Sequence, residues 1–307
     1  MYDIIVIGAG AAGLTSALYA VRAGMNILLL EKMGVGGQIT LTEAVENYPG
    51  FSFISGPELM ERFAEHVKKF GVEPQLEEVT DVRAEDGARV VATDDNEYRA
   101  HAVIVATGSN PRRLGVEGEE KFTGRGVSYC AVCDGPFFKD KEVAVIGGGD
   151  AAVKEALYLT QMAAKVTIVH RRDALRAEQI YQAQAFDNPK IELVWDHVVD
   201  RMLGSDRFEG IVIRHVKDPE KKRELPVAGV FVYIGHVPNT RFVQVEKTPA
   251  GAILTDDCLS SSVPGIYAAG DCRETCLRQI ATCVGDGALA AFKAGEYVEQ
   301  VKSGHRS

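Results

Sequence analysis

The amino-acid sequence predicts an α/β protein with two three-layer domains, each built on a parallel sheet. A strand, a glycine-rich turn and a helix open the chain at Tyr2–Gly24, and the same pattern returns within Lys141–Arg172. A second apolar strand follows each helix, and strand–helix–strand units of this kind form parallel sheets with right-handed crossovers. The fold is therefore expected to be built twice, and a chain with two such units usually binds two nucleotides.

Length and composition agree with a soluble two-domain protein. The chain has 307 residues, of which 46% are hydrophobic and 25% charged, with 31 glycines. About 300 residues suit two domains of ordinary size. The 34 basic and 43 acidic residues give a net charge of −9, and the basic residues are mostly scattered. Nucleic acid and anionic membrane are therefore not expected as partners.

The first residues are interpreted as a buried strand and not as a signal peptide. They form a short apolar run that ends in glycines, without a basic segment or a small-residue cleavage site. No stretch of the chain approaches the roughly 18 uninterrupted apolar residues of a membrane span. We therefore expect a cytoplasmic protein with reduced thiols.

The first unit carries a dinucleotide-binding pattern. Its strand, helix and second strand are expected at Tyr2–Gly8, Ala11–Gly24 and Met25–Glu31. Three glycines follow G-x-G-x-x-G directly after the strand, namely Gly8, Gly10 and Gly13. This spacing brings backbone close to a pyrophosphate at a helix amino terminus. Glu31 ends the second strand, where a carboxylate can accept a ribose hydroxyl, so both halves of a Rossmann-like site are present.

The middle of the chain suggests an insertion. A helix is expected at Pro57–Phe70, and short strands follow it up to Ala100–Ser109. Polar segments with proline or glycine, Asn110–Glu120 and Val237–Lys247, have the composition of linkers. If both are linkers, the second unit is inserted into the first domain, which the carboxyl-terminal part completes.

The second unit has a different residue type at the end of its second strand. Gly147, Gly149 and Ala152 fit the G-x-G-x-x-A variant of the glycine pattern. Where an NAD site would have a carboxylate, this sequence has Arg171 and Arg172, with Arg176 nearby. Guanidinium groups favour a 2′-phosphate that a carboxylate would repel, so we expect NADP and not NAD.

A pair of cysteines lies just before the second unit. Cys130 and Cys133 form a CxxC followed directly by Asp134. Such a pair could bind a metal, crosslink a loop or transfer electrons. A structural zinc site needs four ligands. The other four cysteines contain no second CxxC and are expected to be small buried side chains: Cys258, Cys272, Cys276 and Cys283.

The carboxyl-terminal part has a strand that delivers Gly270 and Asp271 at its end. A carboxylate in that place can hydrogen-bond the sugar part of a flavin nucleotide. The last helix is expected at about Gly285–Val301. Its apolar residues lie on more than one face, so part of it is expected to be buried or shared with another subunit.

In combination, these stretches resemble the low-molecular-weight thioredoxin reductases of the bacterial and archaeal type, class II pyridine nucleotide-disulfide oxidoreductases. The resemblance covers Tyr2 to about Val298. The matching motifs, in chain order, are GAGAAG, GGQIT, ENYPGF, VIVATGS, CAVCD, GGGDAAVKEALYL, HRRDALRA, VFVYIGHVPNT and AAGD followed by RQI.

The resemblance implies a discontinuous FAD-binding domain, residues 1–112 and 243–307, and an inserted NADPH-binding domain, residues 113–242. Residues implied to line the FAD are Gly8, Gly10, Ala11, Gly13, Glu31, Lys32, Gly36, Gly37, Gln38, Asn47, Thr107, Gly108, Gly270, Asp271, Arg278, Gln279 and Ile280. Residues implied to line the NADPH are Gly147, Gly149, Asp150, Ala151, His170, Arg171, Arg172, Arg176 and Ile234. No metal is implied.

The resemblance also implies roles for the CxxC. Cys133 would lie next to the flavin, Cys130 would attack the disulfide of thioredoxin or a thioredoxin-like protein, and Asp134 would move the proton. The CxxC and the NADPH motif share one domain, so they must take turns at the flavin. The family achieves this by rotation of the NADPH domain about two linkers, and it functions as a homodimer.

Several alternatives remain open from the sequence alone. Phe137 and Phe138 fit either a core or a docking patch for a small protein, with Arg125 beside it. Cys272 or Cys283 could act as an auxiliary thiol near the flavin. A dithiol oxidase, a peroxiredoxin-reducing subunit and a flavin-binding sensor are rival functions. The intact HRRDALRA motif disfavours the oxidase, and a peroxiredoxin-reducing subunit would normally carry an additional redox domain.

Overall fold

The computed structural model describes residues 1–42 and 45–304. The strands are β1 Tyr2–Ile7, β2 Ile27–Glu31, β3 Gln75–Leu76, β4 Val79–Glu85, β5 Ala88–Thr93, β6 Glu97–Val105, β7 Ser109–Pro111, β8 Val127–Ser128, β9 Glu142–Gly147, β10 Lys165–Val169, β11 Ile191–Val194, β12 His197–Leu203, β13 Gly210–His215, β14 Lys222–Leu225, β15 Gly229–Tyr233, β16 His236–Pro238 and β17 Ile266–Ala268. The α-helices are α1 Ala11–Arg22, α2 Gly56–Lys68, α3 Glu119–Phe122, α4 Ala131–Asp134, α5 Asp150–Leu159, α6 Gln179–Asp187 and α7 Ile280–Lys302. Short 3-10 helices lie at Gly37–Leu41, Gly135–Phe138 and Gly270–Cys272.

The chain divides into two compact units. Unit 1 comprises Met1–Asn110 and Val237–Ser307, and unit 2 comprises Pro111–His236. The resemblance implied cofactor-binding domains that divide after residues 112 and 242, and the two compact units divide after residues 110 and 236. Unit 1 is therefore discontinuous in sequence, and unit 2 is the inserted segment.

Unit 1 is built on a sheet in the order β3-β2-β1-β6-β5-β4, with β17 also paired to β6. The pairs among β1, β2, β6 and β17 are parallel, whereas β4, β5 and β6 pair antiparallel. Ile4 and Leu14 belong to a buried cluster that joins one sheet face to α1 and α7. Ile5 and Val103 belong to a second cluster that includes Val243. Continuous apolar strands such as β1 are expected where both faces of a parallel sheet are buried.

Unit 2 contains a parallel sheet in the order β11-β10-β9-β15-β8 and a separate antiparallel sheet in the order β12-β13-β14. One buried cluster includes Val143 and Phe231 with the α5 residues Val153 and Leu159. The opposite cluster includes Ile146 with residues of β12 and β13. Strand β9, the glycine turn and α5 form the repeat of the first unit that the sequence predicted.

The segments expected to be linkers are parts of the two units. The carboxylate of Glu119 accepts hydrogen bonds from the N–H of Leu114 at 2.8 Å and of Gly115 at 2.7 Å. The hydroxyl of Tyr129 also donates to it at 2.9 Å. Glu119 is only 3% exposed. This buried carboxylate orders the chain that enters unit 2, which the polar composition alone did not reveal.

The last helix begins earlier than the sequence predicted. Helix α7 starts at Ile280, five residues before the expected Gly285. Gln279 and Thr282 form a capping box, in which each side chain accepts a hydrogen bond from the backbone N–H of the other. This reciprocal cap satisfies two donors that would otherwise lack partners, and so it stabilises the extra turn.

Within residues 1–42 and 45–304, none of the helices combines the length and the apolar composition needed to cross a membrane.

Candidate functional site

In unit 1 the three motif glycines form a tight turn between β1 and α1. A Cβ on Gly8, whose φ is +103°, would lie 2.5 Å from the backbone oxygen of Ala106. A Cβ on Gly13 would lie 1.7 Å from the oxygen of Gly8, whereas one on Gly10 would meet nothing within 4 Å. No side chain caps the amino end of α1. The turn therefore leaves open space beside uncapped helical N–H groups, as a phosphate-binding turn requires.

Glu31 ends β2 next to this turn. Its Oε2 accepts a hydrogen bond from the N–H of Ala9 at 2.7 Å, and its Oε1 accepts one from Met33 at 3.0 Å. Each carboxylate oxygen has two lone pairs, so both can still accept a ribose hydroxyl. Lys32, which was predicted to line the same nucleotide, is exposed and forms an ion pair with Glu78 at 2.5 Å.

The other residues predicted for the flavin also lie in unit 1. Because β2, β1, β6 and β17 are parallel neighbours, their carboxyl ends meet at one edge of the sheet, where open α/β sheets bind ligands. The residues that follow these strand ends are Gly8, Thr107, Gly108, Gly270 and Asp271. Gly36, Gly37 and Gln38 lie in or before the first 3-10 helix, and Ala11 and Ile280 begin α1 and α7.

Polar side chains interconnect this part of unit 1. Gln38 donates to Asn110 Oδ1 at 2.8 Å, and Asn47 donates to Gln279 Oε1 at 3.0 Å. Gln38, Asn47 and Asn110 are exposed, and a side-chain amide has two donors and two acceptor lone pairs, so these residues can also bond a ligand.

Asp271 and Arg278 fit a bound polar ligand. Burial raises the pKa of Asp271, whereas the thiol of Cys283 and the charge of Arg278 act in the opposite direction. The Cys283 thiol donates to Asp271 Oδ1 at 3.5 Å, and burial raises the pKa of that thiol strongly. The Nε of Arg278 is buried and has no hydrogen-bond partner among the described residues. A buried donor without a partner is costly, so this atom is suited to an acceptor supplied by a ligand.

Two residues of unit 1 that support the predicted flavin site were not identified from the sequence. Asp286 accepts the N–H of Gly270 at 3.0 Å and two hydrogen bonds from Arg273 at 2.7 and 3.0 Å. Asn239 accepts the hydroxyl of Thr107 through its backbone oxygen, and its amide donates to the oxygen of Thr107 at 3.0 Å. Asp286 and Asn239 thus position Gly270 and Thr107, which were predicted to line the flavin. They are distant from these residues in the sequence, so the contacts arise only in the folded chain.

Unit 2 repeats the glycine turn with a different support. Gly147 has a φ of +152°, and a Cβ on it would lie 2.4 Å from the oxygen of Tyr233. A Cβ on Gly149 would meet nothing within 4 Å, and α5 has no side-chain cap. A Cβ on Gly148 would overlap the ring of His170 at 2.4 Å. The histidine ring therefore packs directly under the turn.

His170 is buried, at 4% exposure, and its Nε2 has no hydrogen-bond partner among the described residues. Burial lowers the pKa of His170, and the positive charges of Arg176, Arg171 and Arg172 lower it further. The ring is therefore neutral at neutral pH, and its Nε2 atom is buried.

The three arginines lie as the sequence predicted, after β10 and on the surface of unit 2. Arg171, Arg172 and Arg176 are exposed, and none of them forms an ion pair with a described residue. The N–H of Arg176 donates to the oxygen of Gly148 at 2.6 Å, which ties this segment to the glycine turn. Unpaired guanidinium groups beside a phosphate-binding turn are suited to an additional phosphate. Asp150 and Ala151 begin α5, and Ile234 follows β15 in the same unit.

Cys130 and Cys133 form a disulfide in unit 2, with Cα atoms 5.3 Å apart. Cys130 is the N-cap of the short helix α4, and its sulfur accepts the N–H of Cys133 at 3.1 Å. The pair is partly exposed. A disulfide at the amino end of a helix is held in one geometry and remains accessible to another thiol.

Asp134 is positioned directly beside the disulfide by Ser128. The Ser128 hydroxyl donates to Asp134 Oδ2 at 2.6 Å and accepts the N–H of Cys130 at 3.0 Å. Burial raises the pKa of Asp134, and the hydrogen bond from Ser128 opposes this shift only in part. A carboxyl group with a raised pKa can hold a proton closer to neutral pH than an ordinary aspartate.

Residues that the sequence analysis treated alike differ in their burial. Phe138 packs edge-to-face on Phe231 in the core, whereas Phe137 is 45% exposed.

Cys272 is fully buried, and burial raises its pKa to about 11, as expected for a small core residue. The same prediction was wrong for Cys276, which is exposed, because it lies in the loop before α7.

Residues 2–287 match the family model described as pyridine nucleotide-disulphide oxidoreductase. The chain belongs to this family. Membership implies an oxidoreductase that uses flavin and nicotinamide cofactors, which agrees with the two nucleotide-binding turns and the disulfide.

Members of the pyridine nucleotide-disulphide oxidoreductase family with curated names resemble this chain over nearly its whole length. The thioredoxin reductase of Bacillus subtilis (strain 168) is 47% identical over 304 residues, covering 98% of this chain and 96% of that protein. The thioredoxin reductase of Listeria innocua is 46% identical, with 98% and 95% covered.

Solved structures of the family agree. Thioredoxin reductase from Streptococcus pyogenes superposes with a TM-score of 0.92 at 46% identity, covering 98% of this chain and 99% of that chain. Lactococcus lactis thioredoxin reductase, titled as the FR conformation, has a TM-score of 0.66 at 44% identity, with 98% and 100% covered. These relatives support the two Rossmann-like units of the fold.

Among the described residues, no group of three or more histidine, cysteine, aspartate or glutamate side chains is arranged to hold a metal ion.

Proposed function

We propose that this chain is an NADPH-dependent, FAD-containing enzyme that reduces the disulfide of thioredoxin or a thioredoxin-like protein. The observation that carries the proposal is the Cys130–Cys133 disulfide beside a buried Asp134, in the unit whose glycine turn is flanked by unpaired arginines. The names of the relatives support the same reaction. In balance, NADPH, one proton and the partner disulfide yield NADP⁺ and two partner thiols.

The FAD is proposed to bind unit 1. FAD would supply a two-electron carrier between the nicotinamide and the disulfide. The open turn at Gly10 suits its pyrophosphate, Glu31 its adenosine ribose and Asp271 its ribityl chain. The buried Nε of Arg278 is suited to one of its oxygens.

The NADPH is proposed to bind unit 2. Gly149 leaves space for the pyrophosphate, and Arg171, Arg172 and Arg176 would hold the 2′-phosphate. Each guanidinium can donate two hydrogen bonds to a phosphate. NADH has no phosphate at the 2′ position, so it could not form these bonds.

The two cysteines are proposed to exchange disulfides with the partner. Two-electron reduction breaks the Cys130–Cys133 bond. The Cys130 thiolate then attacks one sulfur of the partner disulfide, forms a mixed disulfide and releases the other partner sulfur as a thiolate. The Cys133 thiolate attacks Cys130, re-forms the original bond and releases the second partner thiolate.

Asp134 is proposed to supply the protons that these thiolates need. Its raised pKa lets it carry a proton, and the hydroxyl of Ser128 holds its carboxylate beside the disulfide. Ser128 also binds the N–H of Cys130, so a single hydroxyl aligns the acid with the attacking cysteine.

Turnover is proposed to need rotation of unit 2 about the two places where the chain crosses between units. The chain crosses only after Asn110 and after His236. Each side of these crossings has its own hydrogen bond: Asn239 to Gly108 within unit 1, and Arg112 to Gly235 within unit 2. The crossings themselves could therefore turn while each unit keeps its structure.

We also propose that the chain forms a homodimer through unit 1 and acts in the cytoplasm. Phe292 and Leu289 of α7 are 59% and 37% exposed, and Tyr19 of α1 is 52% exposed. Exposed aromatic side chains on a helical face favour coverage by a partner. Sedimentation of the wild-type chain and of Phe292→Glu tests this; a wild-type monomer would contradict it.

The reaction is tested by anaerobic titration of the flavin-loaded protein. We expect NADPH, and not NADH, to bleach the flavin absorbance, and thioredoxin to be reduced in the presence of NADPH. Bleaching by neither nucleotide would refute the proposal. A dithiol oxidase would instead consume oxygen with dithiols and need no NADPH. A Cys133→Ser variant, which cannot resolve the mixed disulfide, is expected to trap the partner on Cys130.

A further inference from the structure

Tyr233 contacts the backbone between the two cysteines. It is the last residue of β15, and its hydroxyl oxygen accepts the N–H of Ala131 at 2.5 Å. Ala131 is the first residue of α4 and is fully buried. The first N–H groups of a helix have no partner within the helix, so they need an acceptor from elsewhere. Tyr233 provides this acceptor from another strand of unit 2.

The segment that carries the disulfide is held from two neighbouring strands. The Ser128 hydroxyl accepts the N–H of Cys130 and donates to Asp134, and the Tyr233 hydroxyl accepts the N–H of Ala131. Tyr233 is therefore the acceptor that the first residue of α4 uses.

We propose that Tyr233 is a positioning residue for the redox disulfide, because its hydroxyl holds the first turn of the helix that carries Cys133. The inference rests on the proposed function in one respect, that Cys130 and Cys133 are the reacting pair. The contact of Tyr233 is with the backbone of Ala131. It fixes the first turn of α4, in which the N–H of Cys133 binds the sulfur of Cys130.

The contact with Tyr233 is expected to affect the resolving step, in which Cys133 attacks Cys130 of the mixed disulfide. When the bond between the cysteines is broken, α4 keeps Cys133 in reach of Cys130 only if its first turn stays folded. A helix of four residues has no stability of its own, so the contact with Tyr233 carries much of this task. Loosening it should slow resolution of the mixed disulfide without changing how the partner docks.

Hydrogen exchange of the Ala131 amide measures the contact directly. In the oxidised, flavin-loaded protein, Tyr233→Phe keeps the ring and removes the acceptor. We expect the Ala131 amide to exchange at least about tenfold faster, because its hydrogen bond is lost. Tyr158→Phe is the matched control, since Tyr158 packs against the same core but its hydroxyl bonds no described residue.

Steady-state kinetics with thioredoxin provides the second readout. Tyr233→Phe is expected to lower kcat about fivefold to tenfold and to leave KM unchanged, because the lost contact corresponds to one hydrogen bond. Wild-type exchange and wild-type kcat in Tyr233→Phe would overturn the inference.

The two proposals fail in different ways. If the wild type does not reduce thioredoxin, the proposed function is wrong, and the exchange measurement still decides whether Tyr233 holds α4. If Tyr233→Phe does not fold, the wild type supplies the test: an Ala131 amide that exchanges as fast as that of an unstructured peptide would overturn the inference.

Discussion

The two glycine turns have the same backbone plan but different side chains around them. In unit 1, Glu31 ends the second strand and accepts the N–H of Ala9 inside the turn. In unit 2, the corresponding strand is followed by His170, which packs under Gly148, and by exposed arginines. Under the proposed function, the turn would supply the phosphate site in both units, whereas the side chains at the end of the second strand would select the nucleotide.

A second difference lies in what stands next to each turn. The last residue of β15 in unit 2, Tyr233, contacts both the turn at Gly147 and the helix of the redox disulfide. In unit 1 the corresponding edge carries Asp271 and the unpartnered Nε of Arg278. Unit 2 therefore has a glycine turn and a disulfide, and under the proposed function it would both bind a nucleotide and react, whereas unit 1 would only bind its cofactor.

The largest effects are expected from substitutions that damage one glycine turn at a time, which tests whether the two turns bind their cofactors independently. In Gly13→Ala the new Cβ would lie 1.7 Å from the oxygen of Gly8, so we expect the protein to lose its flavin and all activity but still to bind NADPH. In Gly147→Ala the new Cβ would meet the oxygen of Tyr233, so flavin is expected to stay and NADPH binding to be lost.

Flavin absorbance and NADPH fluorescence titration measure the two losses separately. Gly285→Ala is the control, because nothing lies within 4 Å of the new Cβ and alanine favours a helix. Loss of both cofactors in either turn variant would show that the turns do not act independently.

Asp134→Asn is expected to have the next largest effect. A positioned general acid typically contributes about 10²–10⁴ to the rate, so turnover with thioredoxin should fall by at least about a hundredfold. Because burial raises the pKa of Asp134, the wild-type rate should be highest below that raised pKa and fall as pH rises through it. The variant should lack this limb of the pH profile, and an unchanged profile would contradict the role of Asp134.

The double variant Arg171→Ala, Arg172→Ala tests nucleotide selection. Each hydrogen bond to a charged group is worth about 1.5–3 kcal/mol, so KM for NADPH should rise roughly tenfold to a hundredfold, and KM for NADH should change little. Steady-state assays with both nucleotides measure the ratio. Arg207→Ala, another exposed arginine of unit 2, is the control. An equal loss with both nucleotides would assign these arginines a different role.

The smallest effects are expected from one buried carboxylate in each unit. Glu119→Gln and Asp286→Asn each replace one acceptor oxygen by a donor, which should cost about 1–3 kcal/mol of stability. Glu119 anchors Leu114 and Gly115 in unit 2, so its variant should lower the denaturant midpoint of that unit while flavin stays bound. Asp286 anchors Gly270, so its variant should instead release flavin at a lower denaturant concentration.

The sequence by itself determined the two nucleotide turns and the CxxC. These features are local: glycine spacing, an apolar strand and a helix start all depend on neighbouring residues, so they can be predicted from Gly8 to Gly13 or from Cys130 to Asp134. The residue that follows each second strand is also local, and for this reason Glu31 and Arg171 could be assigned from their positions.

Only the tertiary structure decided which distant residues support these features. Ser128 and Tyr233 bind the disulfide segment because β8 and β15 pair in one sheet, and Asp286 of α7 reaches the N–H of Gly270. Such contacts form where burial removes competing water, and the spacing of residues along the chain carries no record of them.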